Sequence, residues 1–115
     1  ATVNMDGTSL YQAVAAVFIA QAFGMDLSLM AQLGIIVTAT LASIGSAAVP
    51  SAGMVMLVIV LAQAGIPEAG LALIFAVDRP LDMVRTVANV TSDCTVATII
   101  AKSLNKLEDP KEAIG

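Results

Sequence analysis

Six polar residues late in the chain are spaced so that their side chains share one face of a helix. They stand at offsets 0, 4, 7, 8, 11 and 15, and they are Asp78, Asp82, Arg85, Thr86, Asn89 and Asp93. At ~100° per residue these offsets cover an arc of roughly 100°. A guanidinium group next to carboxylates and an amide suits the binding of a small charged ligand, which makes this stripe the first candidate for a functional site.

The helix that carries the stripe is predicted over residues 71–102, and its other side chains are mainly Leu, Ile, Val, Phe, Met and Ala. In a membrane, about a dozen large apolar residues would each contribute ~0.3–0.6 kcal/mol to insertion, whereas each of four mid-helix charges would cost on the order of 3 kcal/mol. The cost of the charges exceeds the gain from the apolar side chains, so the polar stripe must face protein, water or a ligand rather than lipid. Ionisable side chains within a membrane helix are functional-site candidates for this reason.

A second polar cluster opens the chain, in the sequence ATVNMDGT from Ala1 to Thr8. Asn, Asp and Gly form helices poorly, and the Asn and Asp side chains compete for backbone hydrogen bonds. This pattern predicts the unwound end of a broken transmembrane helix over residues 1–23. Unwound backbone at membrane depth lies in protein or lines a cavity, where its carbonyl groups can coordinate a cation. The alternative is a plain N-cap, with Asp6 or Thr8 starting the helix.

The segment 33–65 lies within a run that has no charged residue from Leu27 to Pro67. Its length falls between the ~20 residues of one membrane span and the ~40 residues of two spans. Small residues, glycines and Pro50 fill its middle, with about half a membrane thickness of helix former on either side. The pattern predicts a re-entrant helical hairpin. The alternative is one long helix that is kinked at Pro50.

Composition excludes several functional classes. Hydrophobic residues make up 58% of the chain and charged residues only 12%, which is typical of an integral membrane protein. Five basic against nine acidic residues give a net charge of −4, so no nucleic-acid partner is expected. Because the chain has no His and a single Cys, it cannot form the usual zinc sites, an internal disulfide, or a Ser–His or Cys–His catalytic pair.

The fold class predicted from these elements is all-α integral membrane. It comprises half of a broken transmembrane helix, a re-entrant hairpin and a long polar-striped transmembrane helix, followed by a tail over 104–115. Lysines cluster beyond the last helix, whereas its other end carries only Glu68, so the positive-inside rule places the C-terminus in the cytoplasm. We therefore expect the C-terminal piece of a larger multi-pass protein of the inner cell membrane, with the lipid bilayer as a partner.

Three motifs resemble the glutamate/aspartate transporters, the dicarboxylate/amino acid:cation symporter family. They are NMDGT (Asn4–Thr8), ASIGSAAVPSAG (Ala42–Gly53) and DRPLDMVRTVANVTSD (Asp78–Asp93). The resemblance implies that residues 1–103 are the C-terminal part of a mobile transport domain, and that the full-length protein is a homotrimer. It also implies sodium-coupled uptake of an acidic amino acid by alternating access. Sodium is then a transported ion, and no cofactor is expected.

The resemblance also implies the substrate site. Asp82 would hold the amino group of the substrate and Arg85 its side-chain carboxylate. The other implied substrate residues are Thr8, Val49, Gly53, Thr86 and Asn89. Independently of the family, Arg carries a planar fork that binds a carboxylate bidentately. The alternative reading of the same two residues is an internal Asp82–Arg85 ion pair with no ligand.

Three sodium sites are implied in the same way. One would be formed by Asn4, Asn89 and Asp93, and another by Thr2 with the hairpin tip, that is Ser43, Ile44 and Ser46. The third would use Asn4 and Asp6 together with residues outside this chain. Many family members have Thr where this chain has Ser46, but the hydroxyl group is kept.

Two rival functions start from the same residues. A proton-coupled or C4-dicarboxylate symporter of the same family is the first, although the presence of both Asp82 and Arg85 favours an acidic amino acid. The second is an intramembrane aspartyl hydrolase that uses Asp82 and Asp93. Those carboxylates are ~16 Å apart along a helix, which is too far to share one water, so we expect no enzyme.

Overall fold

The computed structural model describes residues 2–46, 49 and 52–107. All regular structure in this part of the chain is helical, which confirms the all-α class. The helices are α1 (Asp6–Ala22), α2 (Leu29–Ile44), α3 (Ala52–Ala64), α4 (Leu71–Phe75) and α5 (Asp78–Ser103), with a 3₁₀ turn at Glu68–Gly70. Within the described ranges, no helix combines the length and the apolar composition needed to cross a membrane by itself.

Helix α1 begins within residues 1–8, the polar cluster that was predicted to be unwound. Asp6 is its first helical residue, and the Met5 carbonyl accepts hydrogen bonds from the backbone N–H groups of Thr8 and Ser9. Neither the Asp6 nor the Thr8 side chain acts as the N-cap, since the N-cap position is Met5, which has no side-chain hydrogen bond. Among the described residues of this polar cluster, the non-helical part is therefore limited to residues 2–5.

Residues 29–64 form two helices rather than one. α2 and α3 pack against each other and against α1, and residues 45–51 connect them. Their common core includes the fully buried residues Ile19, Ile35, Ala39, Leu57, Val60 and Leu61. Glycines end α1 and α3 in the left-handed conformation, Gly24 with φ +67° and Gly65 with φ +68°.

The helix predicted over 71–102 is interrupted. α4 ends at Phe75 and α5 begins at Asp78, so the break lies at Ala76–Val77, before Pro80. Pro80 has no N–H for the carbonyl four residues earlier, that of Ala76, and its ring crowds that carbonyl. The Val77 N–H instead donates to the Ile74 carbonyl at 2.9 Å. Proline therefore disrupts the helix one turn before its own position.

Candidate functional site

The candidate site lies where α1 and the residues before it pack along α5. The only buried side chains of α5 are two charged ones, those of Asp78 and Arg85. A soluble helix buries its apolar side chains, so α5 has the reverse arrangement. As predicted from their spacing, the polar residues of α5 turn mainly toward the protein, whereas Met83 and Val87 on other faces are exposed.

Asn89 joins α5 to the first turn of α1. Its side-chain oxygen accepts a hydrogen bond from the Gly7 N–H at 2.9 Å, and its amide nitrogen donates to the Thr8 hydroxyl at 3.1 Å. Thr8 is only 3% exposed. Both ends of the Asn89 amide are thus used to fix the start of α1, which places Thr8 next to the polar stripe.

A second group of bonds holds the chain before α1. Asn4 donates from its amide nitrogen to Asp93 at 3.0 Å. The Ser92 hydroxyl lies 3.1 Å from the side-chain oxygen of Asn4 and 2.8 Å from a carboxylate oxygen of Asp6. Its single hydrogen can serve only one of these acceptors at a time. Oxygen atoms from Asn4, Asp6, Ser92 and Asp93 are therefore concentrated in one place.

Arg85 and Asp82 form an ion pair through the Nη2 atom of the guanidinium. Arg85 is 8% exposed, and its other terminal nitrogen, Nη1, is buried without a hydrogen-bond partner among the described residues. The internal ion pair is thus present, but it uses only part of the guanidinium. A buried charged donor without a partner is costly, which makes Nη1 a place where a ligand acceptor would be favoured.

Tyr11 of α1 supports Arg85 from the side. The guanidinium carbon lies 4.9 Å from the centre of the Tyr11 ring, within the range of a cation–π contact. The Tyr11 hydroxyl donates to the buried carboxylate of Asp78 at 2.9 Å and lies 3.5 Å from the Met54 sulfur. Tyr11 therefore links α1, α3 and α5 at the position of Arg85.

Gly53 closes the site from the side of α3. A Cβ atom built on Gly53 would overlap the guanidinium of Arg85, with Nη1 as the nearest atom. Only a residue without a side chain allows α3 to approach this closely. The predicted neighbours Gly53 and Arg85 are thus brought together.

The other predicted site residues take little part in the contacts described above. Thr86 is exposed and its hydroxyl donates to the Asp82 carbonyl of its own helix, while Val49 is 59% exposed. Ser43 and Ser46 are buried, but the Ser43 hydroxyl donates to the Thr40 carbonyl. In the described ranges, exposed Thr2 forms no hydrogen bond with either serine, and no group of three or more acidic, Cys or His side chains is arranged to hold a metal.

Two residues of the site, Tyr11 and Ser92, were not predicted from the sequence. Asp78 was predicted as part of the polar stripe, but its partner Tyr11 was not. Spacing offered a signal for both, because Tyr11 lies three residues after Thr8 on the same helix face, and Ser92 lies three residues after Asn89.

Comparison with known proteins adds an independent finding. The profile of the sodium:dicarboxylate symporter family matches residues 1–103. Excitatory amino acid transporter 3 of Oryctolagus cuniculus is 56% identical over 108 residues, which cover 94% of this chain and 20% of that protein. The excitatory amino acid transporter of Caenorhabditis elegans is 53% identical over 100 residues, which cover 87% of this chain and 20% of that protein.

Excitatory amino acid transporter 5 of Homo sapiens is 50% identical over 106 residues, which cover 92% of this chain and 19% of that protein. The chain thus spans about a fifth of the length of the curated relatives it matches. Because the family profile covers nearly all of the sequence, from the polar cluster at its start to the end of α5, the chain belongs to the sodium:dicarboxylate symporter family.

Proposed function

We propose that this chain carries the substrate site and part of the cation sites of a sodium-coupled symporter for an acidic amino acid. The observation that carries the proposal is the state of Arg85. Its guanidinium is buried, stacked on Tyr11, covered by Gly53 and paired through Nη2 alone, so that Nη1 remains available as a donor. A fixed cation with a free donor is suited to a carboxylate.

Asp82 and Arg85 together match a short zwitterionic substrate. The side-chain carboxylate of glutamate or aspartate would bind Arg85, and its ammonium group would bind Asp82, which is partly exposed. The ligand would then replace the internal ion pair with two pairs of the same kind. Thr8 and Asn89 stand beside this position and would contribute polar contacts, as would the backbone at Val49 and Gly53, with Thr86 as an outer contact.

Sodium ions are transported together with the substrate in this proposal. Asn4, Asp6 and Asp93 belong to the group of oxygen atoms described above, and together with the side-chain oxygen of Asn89 they would offer the hard ligands that such cations prefer. A second ion would lie between Thr2 and the residues Ser43, Ile44 and Ser46, which requires the backbone of α2 to supply carbonyl oxygens. The ions are cargo in this scheme, and the substrate undergoes no covalent change.

The α2–α3 pair is proposed as a re-entrant hairpin that gates the site. α3 reaches the guanidinium of Arg85 through Gly53, so a movement of α3 changes access to that group. The outer surfaces of α2 and α3 expose large apolar side chains, including Met30, Val37, Leu41 and Val55. These surfaces suit a lipid bilayer or other apolar protein. We place the full-length protein in the cell membrane as a homotrimer, with the C-terminus in the cytoplasm.

Uptake by the full-length protein in proteoliposomes tests the function. We expect labelled aspartate or glutamate to accumulate under an inward sodium gradient and to stop accumulating when choline replaces sodium. Uptake that needs a proton gradient instead would establish the proton-coupled alternative. Competition by succinate as strong as that by aspartate would establish a C4-dicarboxylate carrier. Either outcome would overturn the proposal as stated.

A further inference from the structure

Ser92 differs from the other hydroxyl-bearing residues of α5. Five of the six donate to a backbone carbonyl three or four residues earlier in the same helix, and they are Thr86, Thr91, Thr95, Thr98 and Ser103. This is the usual arrangement of a hydroxyl group within a helix. The Ser92 hydroxyl instead reaches across to Asn4 and Asp6. Ser92 therefore belongs to the contact between α5 and the start of the chain.

The Ser92 hydroxyl has two acceptors and only one hydrogen. Its oxygen lies 2.8 Å from a carboxylate oxygen of Asp6 and 3.1 Å from the side-chain oxygen of Asn4. The Asn4 amide is held in this orientation because its nitrogen donates to Asp93 at 3.0 Å, and the reverse orientation would turn its oxygen toward that carboxylate. When the hydrogen points to the charged Asp6, lone pairs of Ser92 and Asn4 face each other. A positive charge at this place would remove their repulsion.

We propose that Ser92 is a ligand of a cation that Asn4 and Asp6 also bind. The inference rests on the proposed function and deepens it, because the partners implied above for Asn4 and Asp6 at their shared sodium site lie outside this chain. The hydroxyl oxygen supplies a third hard ligand, from α5, and its hydrogen then points away from the ion. Asn4 and Ser92 are partly exposed and Asp6 is exposed, so an ion reaches these oxygens from the surface and water completes its shell.

The separations of the oxygen atoms suit this role. Sodium has nearly the radius of calcium, whose oxygen ligands lie at ~2.3–2.6 Å, so two ligands at right angles are ~3.3–3.6 Å apart. The Ser92 oxygen already lies 2.8 Å and 3.1 Å from its two neighbours. Shifts of less than ~1 Å would therefore bring the three oxygens into coordinating positions.

Sodium-dependent thermal unfolding of the full-length protein, without substrate, tests the proposal. An ion that binds the folded state raises Tm as its concentration rises. In Ser92→Ala a water must be immobilised in place of the hydroxyl, so the sodium concentration that gives half of the stabilisation should rise about 3- to 10-fold. Ser92→Cys keeps the size of the side chain but offers a soft sulfur, and it should behave like Ser92→Ala. Ser9→Ala is the matched control and should follow the parent, because the Ser9 hydroxyl donates to the backbone carbonyl of Asp6.

The outcomes separate this inference from the proposed function. If sodium stabilises the parent more than choline does, and Ser92→Ala has the same sodium dependence, the ligand role of Ser92 is excluded while the proposed sodium coupling stands. A lower Tm in Ser92→Ala with unchanged sodium dependence is what a structural hydrogen bond produces, and it excludes the ligand role as well. A Ser92→Cys variant that follows the parent would show that size matters rather than oxygen, with the same consequence. A parent that sodium stabilises no more than choline would overturn both proposals.

Discussion

The backbone of Gly53 in α3 lies against the guanidinium group of Arg85 in α5. A methyl group at this position must displace either the guanidinium or the helix, so we expect Gly53→Ala to weaken binding of aspartate. Overpacking costs ~1–3 kcal/mol, which corresponds to about a 5- to 100-fold loss of affinity. Gly45→Ala is the matched control, because a Cβ there meets only ordinary contacts at 3.9 Å. Calorimetry on the full-length protein measures the aspartate affinity of both variants. Equal affinities in the two variants would exclude this role for Gly53.

Removal of the Arg85 charge should abolish binding of acidic substrates. A charged pair that is lost from a desolvated site costs roughly 2–5 kcal/mol, or about 30-fold or more in affinity. We therefore expect Arg85→Ala to lose aspartate and glutamate binding, whereas a neutral amino acid is still accepted. Arg79→Ala removes an exposed charge from the same helix and should change little. Unchanged aspartate affinity in Arg85→Ala would refute the assignment of this residue.

The two contacts of Tyr11 can be separated by substitution. Tyr11→Phe keeps the ring on which Arg85 stacks but removes the hydroxyl that donates to Asp78. Loss of a donor to a buried carboxylate costs ~1–3 kcal/mol, so the variant should unfold at a lower temperature. Tyr11→Leu removes the ring as well and should lower aspartate affinity further. Thermal unfolding measures the stability of both variants, and calorimetry measures their aspartate affinity. Equal aspartate affinities in Tyr11→Phe and Tyr11→Leu would show that the stacking contributes nothing to binding.

The proposed cation site predicts a change in the coupling between sodium and substrate. If an ion near Asp93 strengthens substrate binding, the substrate strengthens ion binding by the same factor. Asp93→Asn removes a charge from this oxygen-rich group, so aspartate affinity should depend less steeply on sodium concentration. Asp26→Asn changes an exposed carboxylate in the loop after α1 and is the control. A sodium titration of Asp93→Asn that matches the parent curve would argue against the site.

The gate hypothesis predicts ligand-dependent accessibility at the connection between α2 and α3. Val49 is 59% exposed, so a cysteine there should react with maleimide in a background that lacks the exposed Cys94. Sodium and aspartate together should slow the reaction more than sodium alone, because a ligand shifts an equilibrium only by its differential affinity. Met30→Cys, at the other end of α2, should react at one rate throughout. A constant rate at position 49 would mean that the connection does not close.

The polar stripe of α5 was predictable because its residues keep one helical phase over four turns. The inward direction of Asp78 and Arg85 followed from the cost of leaving charges among apolar neighbours. The pairing of Asp82 with Arg85 could not be chosen over ligand binding from spacing alone, since both arrangements need the same two residues one turn apart.

Other features depend on contacts between distant segments. The break before α5 lies at Ala76–Val77 because the effect of Pro80 falls on a carbonyl one turn earlier. The hydroxyl of Tyr11 has a partner only because α1 and α5 lie side by side. Gln12 is fully buried in α1, and nothing in the local sequence tells whether an amide that interrupts an apolar helix faces outward or inward.

The threonines of α5 change what its outer surface presents to a neighbour. These threonines are Thr86, Thr91, Thr95 and Thr98. The hydroxyl group of each donates a hydrogen bond of 2.8 Å to the backbone carbonyl four residues earlier. The hydroxyl hydrogen is thus used within the helix, and a methyl group remains for outside contacts. A surface that packs on this side of α5 need not supply a hydrogen-bond acceptor for these side chains. Counting every threonine as polar therefore overstates how much α5 resists a dry, closely packed environment.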